Sequence, residues 1–199
     1  MRTGGFSRLI LASSSPRRLA LLRQAGIEPA GIVAPDIDEA PGRAELPRAH
    51  ALRIAEAKRD AVAATPEAAG AFVLAADTVV ACGRRILPKT LVEEDARAAL
   101  SLLSGRRHRV YGGVALAAPD GRRASRLSVT MVQFKRLEPL EIDRYLESGE
   151  WHGKAGGYAI QGLAEIFVKQ INGSYSNIVG LPLQVTLDLL RGLGWRSSG

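Results

Sequence analysis

Six adjacent residues, Ser13-Ser14-Ser15-Pro16-Arg17-Arg18, combine three small hydroxyl side chains, a proline and two guanidinium groups. Proline is favoured at the first position of a helix, and a helix start preceded by small residues aims free backbone N–H groups at one point, which suits an anion. Arg17 and Arg18 fall in that first turn, where positive charge opposes the helix dipole at a cost of about 0.3 to 1 kcal/mol each. Two cations there make sense where a polyanion such as a triphosphate supplies the missing charge through bidentate contacts. The ordinary alternative is a surface helix with two solvated arginines.

Asp77 is the second candidate. It interrupts the apolar run from Ala71 to Cys82, and aspartate is both poorly suited to strands and rarely buried without a partner. It could be a strand-end residue that accepts backbone hydrogen bonds. If instead it lies near Asp38 or Glu39, the carboxylates can share a divalent cation with phosphate oxygens, as Mg²⁺ prefers, and one of them can orient or deprotonate a water. Lys58, Lys89 and Lys154 are far apart in sequence and each reads alone as a surface residue. His50, His108 and His152 lack the close spacing of a zinc site. Gly153-Lys154-Ala155-Gly156-Gly157 departs from the Walker A order and reads as a turn, and no Gly-x-Ser-x-Gly elbow occurs.

The elements that must position these groups follow from patterning. Arg8 to Ala12 reads as a strand feeding a helix capped by Ser15, opened by Pro16 and closed at Gly26. Ile32-Val33 is a second short strand, followed by a loop marked by Pro35, Pro41 and Pro47 that carries Asp36, Asp38, Glu39 and Glu45. From Pro47, residues Ala51, Ile54, Ala55, Lys58 and Val62 share one helical face. Ala71 to Cys82 is a buried strand, and Val92 to Leu103 a helix with Val92, Ala96, Ala99, Leu100 and Leu103 inward. Two runs, 109–117 and 127–134, flank a Pro119-Asp120-Gly121 turn and predict an antiparallel hairpin, hence a mixed sheet. A helix over 138–147, a strand over 164–171 and a helix over 183–190 complete the reading.

The chain has 199 residues of which 46% are hydrophobic, enough for one domain spanning 1–199 with two lobes at most. No run approaches the roughly 18 apolar residues of a membrane span, and the start lacks a secretory signal, so a cytoplasmic protein is expected. Cys82 is the only cysteine, which rules out an intramolecular disulfide and a thiolate-rich metal site. Lysine and arginine number 27 against 20 acids, a formal charge of +7 that favours polyanionic partners. Aromatics are only 5%, with no recognition module, so a nucleic-acid-binding regulator is the weaker reading and a nucleotide the stronger one.

The motifs taken together resemble the Maf-type nucleotide pyrophosphatases, also called septum formation inhibitor-like proteins. The resemblance covers nearly the whole chain. It is carried by Leu9 to Arg18, by Ala76-Asp77-Thr78-Val79-Val80, by Leu103-Ser104-Gly105 with His108, by Lys154 to Gly162, and by Ile171 to Tyr175 continuing through Gly180-Leu181-Pro182-Leu183. It implies a mixed α/β fold of Maf/ITPase-like type, with a central sheet, flanking helices and a cleft between two lobes, usually in a homodimer. It further implies hydrolysis of a nucleoside triphosphate to monophosphate and pyrophosphate with a divalent cation, Mg²⁺ or Mn²⁺. By resemblance Asp77 is the proton acceptor and Glu39 a metal partner alongside it, while Ser13, Arg18, Lys58 and Lys89 are substrate-binding positions. Arg17, Thr78 and Gln161 resemble the branch acting on dTTP and UTP rather than 7-methyl-GTP, and the Gln161 amide offers both donor and acceptor to a pyrimidine edge. Three departures bear on loop geometry: Thr90 stands where proline is usual, Tyr111-Gly112-Gly113 replaces a threonine-led motif, and Trp151-His152-Gly153 replaces an acidic stretch.

Overall fold

A computed structural model describes residues 7–197. The first strand, β1 (Leu9–Ala12), is buried along its whole length, and the serines after it end at Pro16, the first residue of α1 (Pro16–Gln24). Gly26 closes that helix at φ 72°, a conformation β-carbons disfavour. The short β2 (Gly31–Ile32) precedes a long loop and then α2 (Pro47–Ala63), whose predicted face is buried at Ala51, Ile54, Ala55, Lys58 and Val62. Strand β3 (Phe72–Cys82) turns at Gly83 into β4 (Arg85–Leu87). Helix α3 (Glu93–Leu103) begins with Glu93, Glu94 and Asp95, acids that complement its positive end. Strands β5 (Arg107–Ala117) and β6 (Arg123–Phe134) form the expected hairpin, closed by Gly121 N–H donating to Ala118 at 3.0 Å. Helix α4 (Pro139–Glu147) starts in a capping box between Glu138 and Glu141. The chain ends through β7 (Val168–Asn172), α5 (Tyr175–Val179) and α6 (Leu183–Gly192).

The sheet runs β2-β1-β3-β5-β6-β7, with β1 parallel to both its neighbours and the remaining pairs antiparallel. The mixed α/β class read from the sequence is therefore the fold. On one side β3 pairs with β5 along most of its length, while on the other it pairs with β1 over Phe72–Ala75 and with β4 only from Val80 onward. Between these stretches Ala76 to Val79 has a strand on one side alone. This gap separates a lobe with β1, β2 and α1 from one with β4 and the loops after α4. Ligands favour such points in α/β sheets, where neighbouring strands part company.

Helix α2 lies across β3 and β5 on one face of the sheet. A β-carbon at Gly113 would collide with the Ala51 carbonyl, and one at Gly112 would collide with the Asn177 amide on the other face. The paired glycines thus account for one of the sequence departures: each lets a neighbouring element approach the strand. The larger apolar cluster, including Leu11, Leu74, Val114, Phe134 and Phe167, fills the face opposite α2.

The structure corrects three expectations. Val92 precedes α3 as its N-cap and is 51% exposed rather than inward. Residues 163–167 form a 3₁₀ turn, so the strand expected over 164–171 is only β7. Ser15 stands at the N-cap of α1, but its hydroxyl caps nothing; Ser13 Oγ instead accepts from Ser15 N–H at 3.2 Å.

Candidate active site

The gap beside β3 opens into a cleft of about 260 Å³ lined by residues from both faces of the sheet. Consecutive strand residues point to opposite faces, so Asp77 turns toward α2 while Thr78 turns toward α1 and α5. Both reach one cavity because no strand closes the sheet at this point. Ser13, Arg17, Arg18, Glu39, Lys58, Asp77, Thr78, Lys89 and Gln161 all line it.

On the α2 face, Lys58 Nζ donates to Asp77 Oδ1 at 2.8 Å and lies 2.6 Å from Glu39 Oε1. The Lys58 and Asp77 side chains are only 5% and 10% exposed, and charges that deep require partners of opposite sign. Glu39 Oε2 takes a second ammonium from Lys89 at 3.1 Å. Burial pushes the Glu39 carboxyl up, but hydrogen bonds and charge from Lys58 and Lys89 together outweigh it and hold it at about 2. Of the two acids proposed as neighbours of Asp77, Glu39 is the one that reaches Lys58, whereas Asp38 is exposed and accepts from Ala40 N–H at 2.8 Å. The loop carrying Glu39 is anchored farther on, where Glu45 accepts from Arg53 at 2.7 Å and pairs with His50 Nδ1 at 2.9 Å.

On the opposite face, the two arginines divide their roles. Arg18 donates to Gly180 O at 2.9 Å, Ser13 Oγ at 3.1 Å and Thr78 Oγ1 at 3.3 Å, tying the β1–α1 turn, β3 and the end of α5 together. Arg17 donates only through Nε, to Val179 O at 3.3 Å, which leaves both Nη groups without partners among the described residues. Carbonyls at the end of α5 thus supply part of the negative charge that the sequence reading assigned wholly to a ligand. Burial lowers the affinity of both guanidiniums for the proton, in Arg18 partly offset by Asp77.

Lys154 also lines the cleft, its Nζ donating to His152 O at 3.1 Å. Burial and the charge of Arg17 lower its pKa. The sequence reading passed over it as a surface lysine, although it opens one of the motifs quoted above. It is placed by Thr90, whose hydroxyl donates to Trp151 O at 2.8 Å and whose N–H donates to Lys154 O at 3.1 Å. A proline at 90 could make neither bond, so the threonine is part of how this chain closes the loop, with Lys89 pairing opposite Ala155. Tyr158, likewise not anticipated, forms part of the wall and meets the buried His108 behind it, Oη to Nε2 at 2.8 Å. Burial holds His108 down at about 4, so its ring is neutral at physiological pH.

The cleft therefore sets Arg17, Arg18, Lys58, Lys89 and Lys154 against Glu39 and Asp77, a surplus of positive charge suited to a polyphosphate. Among the described residues no three histidine, cysteine or acidic side chains cluster as a metal cage. Two carboxylates do converge, and Asp77 Oδ2 has no hydrogen-bond partner among the described residues. That donor set fits Mg²⁺ or Mn²⁺, which are commonly held by one or two carboxylates with phosphates and water completing the shell.

The chain is 60% identical to the dTTP/UTP pyrophosphatase of Caulobacter vibrioides over 188 residues, 94% of this chain and 96% of that one. It is 62% identical to the dTTP/UTP pyrophosphatase of Paramagnetospirillum magneticum, covering 94% and 97% of the two chains. Among solved structures, the Staphylococcus aureus Ham1 protein aligns with 64% of this chain and 72% of its own at a TM-score of 0.41 and 13% identity. The Maf-like protein model matches residues 8–193, and with relatives this similar along nearly their whole length the chain belongs to the Maf-like family.

Proposed function

We propose that this chain is a nucleoside triphosphate pyrophosphatase that hydrolyses dTTP and UTP to the monophosphate and pyrophosphate. The carrying observation is that the Asp77 and Glu39 carboxylates share one cleft with Arg17, Lys89 and Lys154, so that a reacting phosphate and its leaving group both have a place. The names of the relatives support the choice of substrate.

In the proposed reaction Arg17, Lys89 and Lys154 grip the β and γ phosphates, whose negative charge the first turn of α1 also attracts. Ser13 and Arg18 hold the turn that presents these groups, and Thr78 keeps Arg18 in register with β3. A water oxygen bonds to the α phosphorus as the bond from that phosphorus to the α–β bridging oxygen breaks. Pyrophosphate departs with the electron pair, and the Asp77 carboxylate takes the water proton. Lys58 holds Asp77 aimed until the transfer occurs. Glu39 and Asp77 would hold a divalent cation, which when bound neutralises charge on the phosphate oxygens. Gln161 meets the pyrimidine edge. A homodimer, which the family resemblance implies, acting in the cytoplasm completes the reading.

Incubation with dTTP, UTP, the cytidine and purine triphosphates and 7-methyl-GTP, each with Mg²⁺ or Mn²⁺, tests it by scoring pyrophosphate and monophosphate. Turnover of dTTP and UTP with pyrophosphate release is expected. Release of orthophosphate, or a preference for purines, overturns it.

A further inference from the structure

Gln161 sits on an exposed turn with no regular element beneath it, yet a residue that reads a base edge must be held in place. Two of the hydrogen bonds that hold this turn come from side chains outside the cleft. Gly162 N–H donates to Ala159 O at 3.1 Å, which makes the bend itself. On one shoulder Ala159 N–H donates to Tyr145 Oη at 3.0 Å, and on the other Leu163 N–H donates to Glu150 Oε2 at 2.8 Å. A β-carbon at Gly162 would run into the Glu150 carboxylate, so the acid lies flat against the backbone next to Gln161. Neither Tyr145 nor Glu150 lines the cleft.

Both supports leave the end of α4 as a preassembled unit. Ser148 Oγ donates to Tyr145 O at 2.6 Å and accepts from Glu150 N–H at 3.2 Å, while Trp151 Nε1 donates to Leu146 O at 2.8 Å. The Tyr145 ring is buried and meets Phe167 edge to face at 5.4 Å. The hydroxyl is thus fixed by the core, and burial pushes it up to about 12, keeping it protonated at any working pH. A side chain set by core packing positions a neighbouring group far better than a solvated one.

We infer that Tyr145 and Glu150 are positioning residues for base selection: they clamp the turn 159–163 from behind and so fix the Gln161 amide without touching the nucleotide. The inference rests on the proposed role of Gln161. No hydrogen bond from either residue reaches Arg17, Lys89, Lys154 or the acids; beyond the base end only the Glu150 charge is felt, at Lys154.

The test compares wild type with Glu150→Ala, Glu150→Gln, Tyr145→Phe, Gln161→Ala and the Glu150→Ala/Gln161→Ala double variant. Each is assayed for kcat and KM on dTTP and dCTP, and for inhibition by inorganic tripolyphosphate, which has no base. Loss of one such hydrogen bond is expected to shrink the dTTP over dCTP preference about five-fold, mainly through KM, with no weakening of tripolyphosphate inhibition, because removing the Glu150 charge near Lys154 does not disfavour an anion. Glu150→Gln, which keeps an oxygen acceptor for Leu163 N–H, is expected to restore the preference. The double variant should lose no more selectivity than Gln161→Ala alone, since the two changes act through one group. Selectivity left intact in both Glu150→Ala and Tyr145→Phe overturns the inference, as does an equal weakening of tripolyphosphate. If instead Gln161→Ala itself leaves selectivity untouched, the assigned role of Gln161 fails first and the clamp falls with it.

Discussion

The two ends of the cleft are built by opposite means. At the reacting end Asp77 and Lys58 lie on β3 and α2, buried and ion-paired, and Glu39 is drawn in from a loop by two lysines. At the base end Gln161 is exposed on a turn held by single hydrogen bonds from the end of α4. The difference matches what the proposed function asks of each. A proton acceptor needs a fixed position and a controlled charge, which low-mobility elements and ion pairs supply. Reading a base needs a neutral donor and acceptor at the right height, and a turn can be altered without disturbing the sheet.

The contrast is broken most sharply at Asp77. Asp77→Asn keeps the shape and one acceptor for Lys58, and pyrophosphate release should fall by about 10²- to 10⁴-fold in a chain that still folds, with a lower thermal transition because a buried ion pair is lost. Near-normal turnover would move the chemistry away from the ion-paired end.

Stability should respond to acid chiefly through His108, behind the base-end wall. The folded imidazole is held at about 4, against roughly 6.5 when unfolded. Below the unfolded value the unfolded chain takes up a proton that the folded chain refuses, so stability declines as pH falls from about 6.5 to 4. The window corresponds to on the order of 3 kcal/mol. Denaturant titrations across it should show a flatter profile for His108→Phe than for wild type. Glu39 behaves differently: its contribution is fully present above the usual carboxylate range and is lost progressively as pH falls from that range to about 2.

Arg17→Ala removes the guanidinium with the free Nη groups and should weaken dTTP and tripolyphosphate alike, by about ten-fold for a charged hydrogen bond. Arg18→Ala should instead lower the thermal transition, because its three bonds tie elements together. Equal effects on stability would erase the division between the two arginines. The smallest change is expected for Gln161→Ala, about a five-fold loss of pyrimidine preference at nearly unchanged kcat, measured with competing nucleotides.

Much of the fold was legible because periodicity is local. The buried face of α2, the hairpin of β5 and β6 and the proline-opened start of α1 follow from residues within a few positions of one another. Strand β4 and helix α5 were not legible: at three and five residues they carry no pattern of their own and exist because β3 and β5 offer them a surface. Val92 misled because its spacing fits the helical face, while its place at the N-cap turns it outward.

For the site, residue type was enough to name Arg17 and Asp77 as candidates, since an acid in an apolar strand and cations at a helix start are anomalous wherever they fold, whereas Thr78 and Gln161 were named by the family resemblance alone. That Glu39 rather than Asp38 reaches Lys58, that Arg18 braces while Arg17 stays open, and that Lys154 enters the cleft were decided by the tertiary structure. These depend on distances between segments up to 162 residues apart, and charge pairing acts through space, which spacing along a chain does not encode.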